Sequence, residues 1–423
     1  MVYGGDGLGR LPADEQGPGK AVFVPFVLEG EKVELSLLEQ KRGFARGELQ
    51  QVLEASAQRV SPDCPYFQRC GGCHYQHAHY PHQLAIKTAI LRENLRRIAK
   101  LELECEVEVH PSPAWNYRNR TRLKVQTSPA FAVGYYRLNS HELLSIEHCP
   151  ISSPLINRAI AALCDAGGTS SSTWSQLQEI ELFANADDTE LLMEILCAAD
   201  TTENQAQALA KQLSEAIPGA VGCVAFKSQG REAQIARVAA SGAAEITYQT
   251  RFASYRVSAG AFFQTNRHLV ADLASLVTQG YAGRAALDLY AGVGLFSSVL
   301  SREFTSVIAV ESSPISFGDL RYNSPANVKA VRAMSEQYLK SMSGRLQPDL
   351  VVVDPPRSGL GETVIHSLVT LGAPRITYVS CDPATLSRDL GGLLRGGYRV
   401  EQAHLVDLFP QTYHLESVFH LVR

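Results

Sequence analysis

No stretch of this 423-residue chain approaches the roughly 18 consecutive apolar residues that a membrane-spanning helix needs. The first ten residues, MVYGGDGLGR, hold no basic region followed by an apolar run. No secretory leader is therefore expected, and the cytoplasm is the default compartment. A basic excess is missing as well: 39 Lys and Arg stand against 43 Asp and Glu, for a net charge of −4. That excludes a broadly cationic surface, so any nucleic-acid contact must be a local patch. Internal repeats and low-complexity tails are absent. The chain is 45% hydrophobic and 19% charged, the composition of a globular protein. Its length calls for two or three domains. A monomer is expected.

The apolar patterning divides the chain into three parts. Residues 1–57 read as short strands (Ala21–Phe26, Lys32–Glu39, Gly43–Leu53) with Gly, Pro and Asp turns, which predicts a small β-barrel. Residues 58–259 open on a cysteine-rich knot, Cys64–Cys73, followed by a helix over His82–Lys100 that is expected to pack back on the last part. The rest of this part mixes strands (Thr121–Gln126, Ala132–Tyr136, Glu179–Ala184, Glu190–Cys197) with a helix at Asn204–Ala216, an α+β domain. From Gly260 the pattern changes. The apolar runs AALDLY, VIAVE, DLVVVD, ITYVSC and SVFHLV alternate with helical segments, which predicts a doubly wound α/β domain over residues 260–423. In YRNRTRLK, alternation puts Arg118, Arg120, Arg122 and Lys124 on one strand face. They form either a local basic patch or a charged, solvated edge strand.

In AALDLYAGVGLF a buried strand runs into a loop with Gly292 and Gly294 and then into a helix, the arrangement that lets backbone approach a ligand. The next strand ends at Glu311, where a doubly wound fold places an acid on ribose hydroxyls. The third glycine of the dinucleotide pattern is missing, since Ser297 holds that position. Asp288 within the loop favours S-adenosylmethionine over NAD. Two further strands end in Asp354-Pro355-Pro356-Arg357 and Ser380-Cys381-Asp382-Pro383. Open α/β sheets keep their sites at such carboxyl ends. Cys381 opens a turn before a helix at Thr385–Gly391, which is expected to lower its thiol pKa. A thiolate that adds to an unsaturated ring carbon makes the neighbouring carbon nucleophilic, and a base must later take the proton from that neighbour. Glu416 is the candidate base and His414 a second one.

The chain resembles the RNA 5-methyluridine methyltransferases, in particular the subgroup that carries a TRAM domain and an iron–sulfur cluster and modifies 23S ribosomal RNA. The resemblance spans nearly the whole chain, through GGDGLGR, VFVPFVLEGEKVEL, CPYFQRCGGCHYQH, GAFFQTN, DPPRSG, SCDPATLSRDL and DLFPQTYHLESV. It implies a Rossmann-like S-adenosylmethionine methyltransferase domain behind an OB-like TRAM barrel and an α+β domain. It implies Cys381 as nucleophile and Glu416 as base, with Gln264, Tyr290, Gly292, Gly294, Glu311 and Asp354 at the cofactor. Phe263 is a candidate to stack on an extruded base. Ala291, Leu295 and Met334 depart from the family pattern.

Cys64, Cys70 and Cys73 have C-x5-C-x2-C spacing, and Cys149 lies far along the chain. Four thiolates suit a [4Fe–4S] cluster or a structural zinc, and neighbouring histidines keep zinc open. The resemblance implies the cluster, in a structural, RNA-facing role. Cys105, Cys164, Cys197 and Cys223 read as core fillers. On the same resemblance the substrate is 23S ribosomal RNA. A transfer-RNA uridine is the alternative, as is a non-catalytic RNA-binding factor. A 5-methylcytidine enzyme is disfavoured because DPPR lacks a cysteine after proline.

Overall fold

The computed structural model describes residues 1–12, 19–169, 174–229, 234–342, 344–345 and 347–423. Three larger sheets organise them. The first has four strands in the order Asp6–Arg10, Ala21–Pro25, Phe44–Glu54, Lys32–Gln40. Its first strand is short but pairs with Ala21–Pro25 along its full length.

The second sheet has seven strands: Gln234–Gly242, Ala220–Gln229, Leu191–Cys197, Leu177–Ala184, Arg120–Gln126, Ala132–Tyr136 and Leu143–Ser145. The strand Arg120–Gln126 is interior, between Leu177–Ala184 and Ala132–Tyr136, so it is not the edge strand that its charges suggested. Nor are its cations a free patch. Register sets Arg122 opposite Glu181 and Lys124 opposite Glu179. Arg120 is paired with Glu181 and Glu194, Arg122 with Glu181, and Lys124 with Glu179. Acids on the neighbouring strands neutralise the row, which a one-strand reading cannot see.

The third sheet has eight strands in the order Val328–Arg332, Phe304–Glu311, Gly283–Leu289, Leu350–Val353, Arg375–Ser380, Glu416–Val422, Arg399–Val406, Val107–His110. All neighbouring pairs are parallel except those made by Glu416–Val422. Its strands are apolar on both sides because both faces are covered. Ala286, Val307, Val352, Val379 and Val418 belong to one core. Leu287, Leu289, Val351, Val353, Tyr378 and Phe419 belong to the other.

The segment between the first two sheets departs from the expected division. The helix Tyr80–Asn94, continued by a π-helical turn at Leu95–Ala99, packs against the helix Pro383–Arg395. The strand Val107–His110 completes the edge of the large sheet beside Arg399–Val406. Residues 80–110 thus lie with the large sheet although they precede the seven-stranded one. The seven-stranded sheet leaves the large sheet's layer after Ser112 and rejoins it at Asn266, where Asn266 Nδ2 donates to Ser112 Oγ at 2.9 Å. No helix among the described residues is long and apolar enough to cross a membrane.

Candidate active site

Strand order in the large sheet reverses between Gly283–Leu289 and Leu350–Val353, which opens a crevice at their carboxyl ends. The loop on one side of it is held in unusual backbone. Tyr290 has φ 62°, Gly292 56° and Gly294 95°. Left-handed backbone in a tyrosine is strained and persists only where the surroundings enforce it. A Cβ on Gly294 would stand 2.9 Å from Leu320 Cδ1, so the loop packs closely on the helix Pro314–Asn323. A Cβ on Gly292 would meet nothing within 4 Å, so that backbone faces open space. Glu311 reaches back to the loop, accepting from the Gly292 N–H at 2.9 Å and the Ser313 N–H at 2.6 Å.

Below the loop, Asp288 is fully buried. One carboxylate oxygen accepts from the Ser297 hydroxyl and the other has no partner. Burial, with Glu311 nearby, pushes its carboxyl up to about 7. Burial, with Asp288 nearby, raises Asp354 to about 7 as well. Three carboxylates around one open loop make a place that favours a cation.

Register brings together the two residues expected at the chemistry. Ser380 pairs with Ser417 across an antiparallel ladder. Cys381, one residue beyond on its strand, and Glu416, one residue before on the other, therefore emerge side by side. Burial first, then Glu416 and Asp354, push the Cys381 thiol up to about 12. Burial and Asp354 raise Glu416 well above the usual carboxylate range, while Arg357 opposes both shifts. The expected lowering of the thiol pKa is thus not found. The N-terminus of the helix Pro383–Arg395 is capped by Asp382, whose carboxylate accepts from the Ala384 and Thr385 N–H groups at 3.0 and 2.8 Å. The orphan donors meet that carboxylate and not the thiol. His414 accepts from Arg357 at 3.4 Å, and burial and Arg357 push it down to about 3.

The GAFFQTN segment divides its two phenylalanines. Phe263 is 2% exposed and packs against Tyr248, 4.7 Å between ring centres, in the core. It is not free to stack on a base; Phe262, 63% exposed, is. Gln264 is buried. Leu295 is a core residue at the start of its helix, and Met334 is exposed. Sequence periodicity offered no way to tell which of two adjacent phenylalanines faces inward.

The four cysteines singled out by spacing line one cavity of about 180 Å³, together with Gln76, Arg118, Tyr135 and His414. The loop that carries three of them grips the approach to Glu416. The His74 and Tyr75 N–H groups both donate to the Gln411 carbonyl, at 2.8 and 2.9 Å. Tyr117 Oη donates to the Pro410 carbonyl at 2.9 Å. From the helix Tyr80–Asn94, Gln83 bonds Gln411, and Lys87 reaches Asp407 at 2.6 Å and the Phe409 carbonyl at 2.9 Å. Gln83, Lys87, Asp407 and Gln411 are all buried. Sequence reading missed these four; a lysine on the apolar face of a helix was the available signal.

A groove of about 820 Å³ runs past this point, lined by Tyr3, Arg46, His74, Tyr136, Arg137, Tyr413 and His414 among others. Tyr3 belongs to the first part of the chain, yet its hydroxyl donates to the Cys381 carbonyl at 3.4 Å. All three parts therefore meet at the crevice.

Comparison with known proteins agrees with this architecture. A family model described as tRNA (Uracil-5-)-methyltransferase matches residues 79–423, and a TRAM domain model matches residues 3–50. An uncharacterized RNA methyltransferase of Aquifex aeolicus is 33% identical, with 99% of this chain and 96% of the relative covered. One from Thermotoga maritima is 30% identical, covering 100% and 97%. The crystal structure of Pyrococcus abyssi tRNA (uracil-54, C5)-methyltransferase, in complex with S-adenosyl-L-homocysteine, superposes with a TM-score of 0.73 at 24% identity over 99% of this chain and 100% of that one, a likeness of fold. The chain belongs to the tRNA (uracil-5-)-methyltransferase family of RNA methyltransferases and carries a TRAM domain at its N-terminal end.

Proposed function

We propose that this enzyme methylates C5 of a uridine in RNA, 23S ribosomal RNA in the first place, with S-adenosylmethionine as donor. The observation that carries the reading is the grouping of Cys381, Glu416 and Asp354, close enough that both carboxylates act on the thiol. In this reading the Cys381 thiol first gives its proton to solvent, the thiolate sulfur bonds C6 of the uracil, and the C5=C6 electron pair moves toward C5 and O4. C5 then takes the methyl group, which the cofactor supplies from its sulfonium. Glu416 accepts the proton from C5, and the C6–S bond breaks as the double bond returns. A carboxylate whose pKa is raised by burial is a stronger base for that proton than an exposed one.

The cofactor residues fit a cationic ligand. The unpartnered Asp288 oxygen, the open space before Gly292 and the carboxylates of Glu311 and Asp354 offer acceptors and charge of the right sign. Gln264, Tyr290, Gly292, Gly294, Glu311 and Asp354 are the residues that would hold it. Lowering the Cys381 thiol from about 12 is one effect expected of a cation in this site.

Cys64, Cys70, Cys73 and Cys149 would hold a [4Fe–4S] cluster. All four cysteines line the same cavity of about 180 Å³, which supports a group held between them. The cluster would tie the loop 64–73 to Cys149 and so brace Gln411; no electron transfer is involved.

Support for ribosomal RNA is the pairing of a TRAM domain with the four-cysteine site, the combination of the subgroup this chain resembles. The aromatic groove and exposed Phe262 suit single-stranded RNA with a base drawn out of its stack. The test is transfer from labelled S-adenosylmethionine to total RNA of a methylation-deficient host, with nucleoside analysis and mapping. 5-Methyluridine in 23S RNA is expected. Label in transfer RNA keeps the chemistry and replaces the substrate, and label in any other nucleoside overturns the reading.

A further inference from the structure

We propose that Glu108, His110 and His404 form a binding site for a single divalent transition-metal ion of the zinc class, at the edge of the large sheet and separate from both the methylation site and the cysteine cavity. Glu108 and His110 are two residues apart on one strand, so they share a face. Parallel register sets His404 of the next strand opposite Glu108. The donor atoms converge. His110 Nε2 lies 3.1 Å from His404 Nδ1, and Glu108 Oε2 lies 3.4 Å from that same nitrogen. Glu108 Oε1 lies 3.8 Å from His110 Nε2. Donors around a tetrahedral ion at bond lengths near 2.0–2.1 Å stand about 3.3–3.4 Å apart. Each of the three residues offers one donor atom within 4.8 Å of the other two, and the shortest contacts, 3.1 and 3.4 Å, match that spacing.

What surrounds His404 supports the same assignment. Gln402 Oε1 is 3.4 Å from its Nε2. That contact favours the tautomer with the proton on Nε2, leaving the Nδ1 lone pair toward Glu108 and His110. Metal-binding histidines are oriented in this way by an acceptor on the far ring nitrogen. The ring also packs edge-on against His420, 5.4 Å between centres, and His420 is itself held by Thr377 at 3.1 Å. His404 is therefore a fixed ligand, while Glu108, with 66% of its side chain exposed, gives the ion a way in and leaves room for water. Two imidazoles and a carboxylate without thiolate select zinc and its neighbours over iron–sulfur chemistry. The edge strand is joined to the sheet through Arg399–Val406, and the ion would rivet those two strands together. Without an ion, the same groups make only a histidine–histidine hydrogen bond beside a carboxylate.

The test uses the full chain with its cysteine site occupied, titrated with Co²⁺ by absorption and with Zn²⁺ by equilibrium dialysis. The comparison is the double variant Glu108→Gln/His110→Gln, which leaves the buried His404 in place. The parent is expected to bind one more equivalent than the variant. Its extra cobalt should show ligand-field bands with no thiolate charge-transfer band, and zinc should raise the parent's melting temperature but not the variant's. Glu108→Gln alone, at an exposed position, serves if the double variant does not fold, with affinity expected to fall roughly tenfold or more. Equal stoichiometry in parent and variant, or extra cobalt bound only through thiolate, would overturn the proposal.

Discussion

Gln83 and Gln411 bond each other twice: Gln83 Nε2 donates to Gln411 Oε1 at 2.9 Å, and the Gln411 N–H donates to Gln83 Oε1 at 3.0 Å. Gln411 sits at φ 69°, left-handed backbone that a glutamine adopts only when held there. Five residues later the chain reaches Glu416. Replacing Gln83 by leucine leaves the Gln411 N–H buried and unpaired, at a cost of about 1–3 kcal/mol. If the pair positions the base, kcat falls roughly tenfold or more while KM for RNA holds. An unchanged kcat in a folded variant would show that the loop keeps its shape without Gln83.

Lys87 and Asp407 form an ion pair with both side chains at 0% exposure. Lys87→Met leaves a buried carboxylate without its cation, and a loss of about 3–5 kcal/mol is expected. Lys87→Met/Asp407→Leu should recover much of that, since an apolar pair carries no desolvation penalty. Urea denaturation of the two variants checks the order. A double variant no more stable than the single would mean that Asp407 is needed for something besides Lys87.

Cys381→Ala should abolish methyl transfer and leave cofactor binding intact. Glu416→Gln should stop the reaction after the C6–S bond forms, because nothing takes the C5 proton. A protein–RNA adduct resistant to denaturant is the expected readout on a gel. Free turnover by the Glu416 variant would remove it as the base.

Asp288 and Asp354 carry carboxyls raised from 3.8 to about 7. Between those values these two groups bind more protons in the folded chain than in the unfolded one, so the stability they contribute to the cofactor-free protein is lost as pH rises from about 4 through about 7. Asp288→Asn should make that decline shallower. Denaturation midpoints at a series of pH values measure both slopes, and an identical slope in the variant would exclude Asp288 as a source.

Much of the large sheet was legible because buried parallel strands are continuous apolar runs: AALDLY, VIAVE, DLVVVD, ITYVSC and SVFHLV each contain or overlap a strand. Val328–Arg332 and Arg399–Val406 were missed, since both alternate polar with apolar residues. Cys381 and Glu416 were found through their motifs, but their adjacency depends on register between strands, which no single segment encodes. The basic row Arg120, Arg122 and Lys124 misled for the same reason: its partners Glu179, Glu181 and Glu194 are more than fifty residues away. The lysine and the glutamine that brace the loop before Glu416, Lys87 and Gln83, come from a helix more than 300 residues upstream, beyond the reach of local pattern.

The seven-stranded sheet is let into the chain between Ser112 and Asn266, and those two residues touch. A segment whose ends meet can be lengthened or shortened at its far strands with little displacement of the large sheet, although Tyr117 ties its near end to the loop before Glu416. Changes in its outer strands would therefore leave the placement of Cys381 beside Glu416 to the register of the large sheet alone.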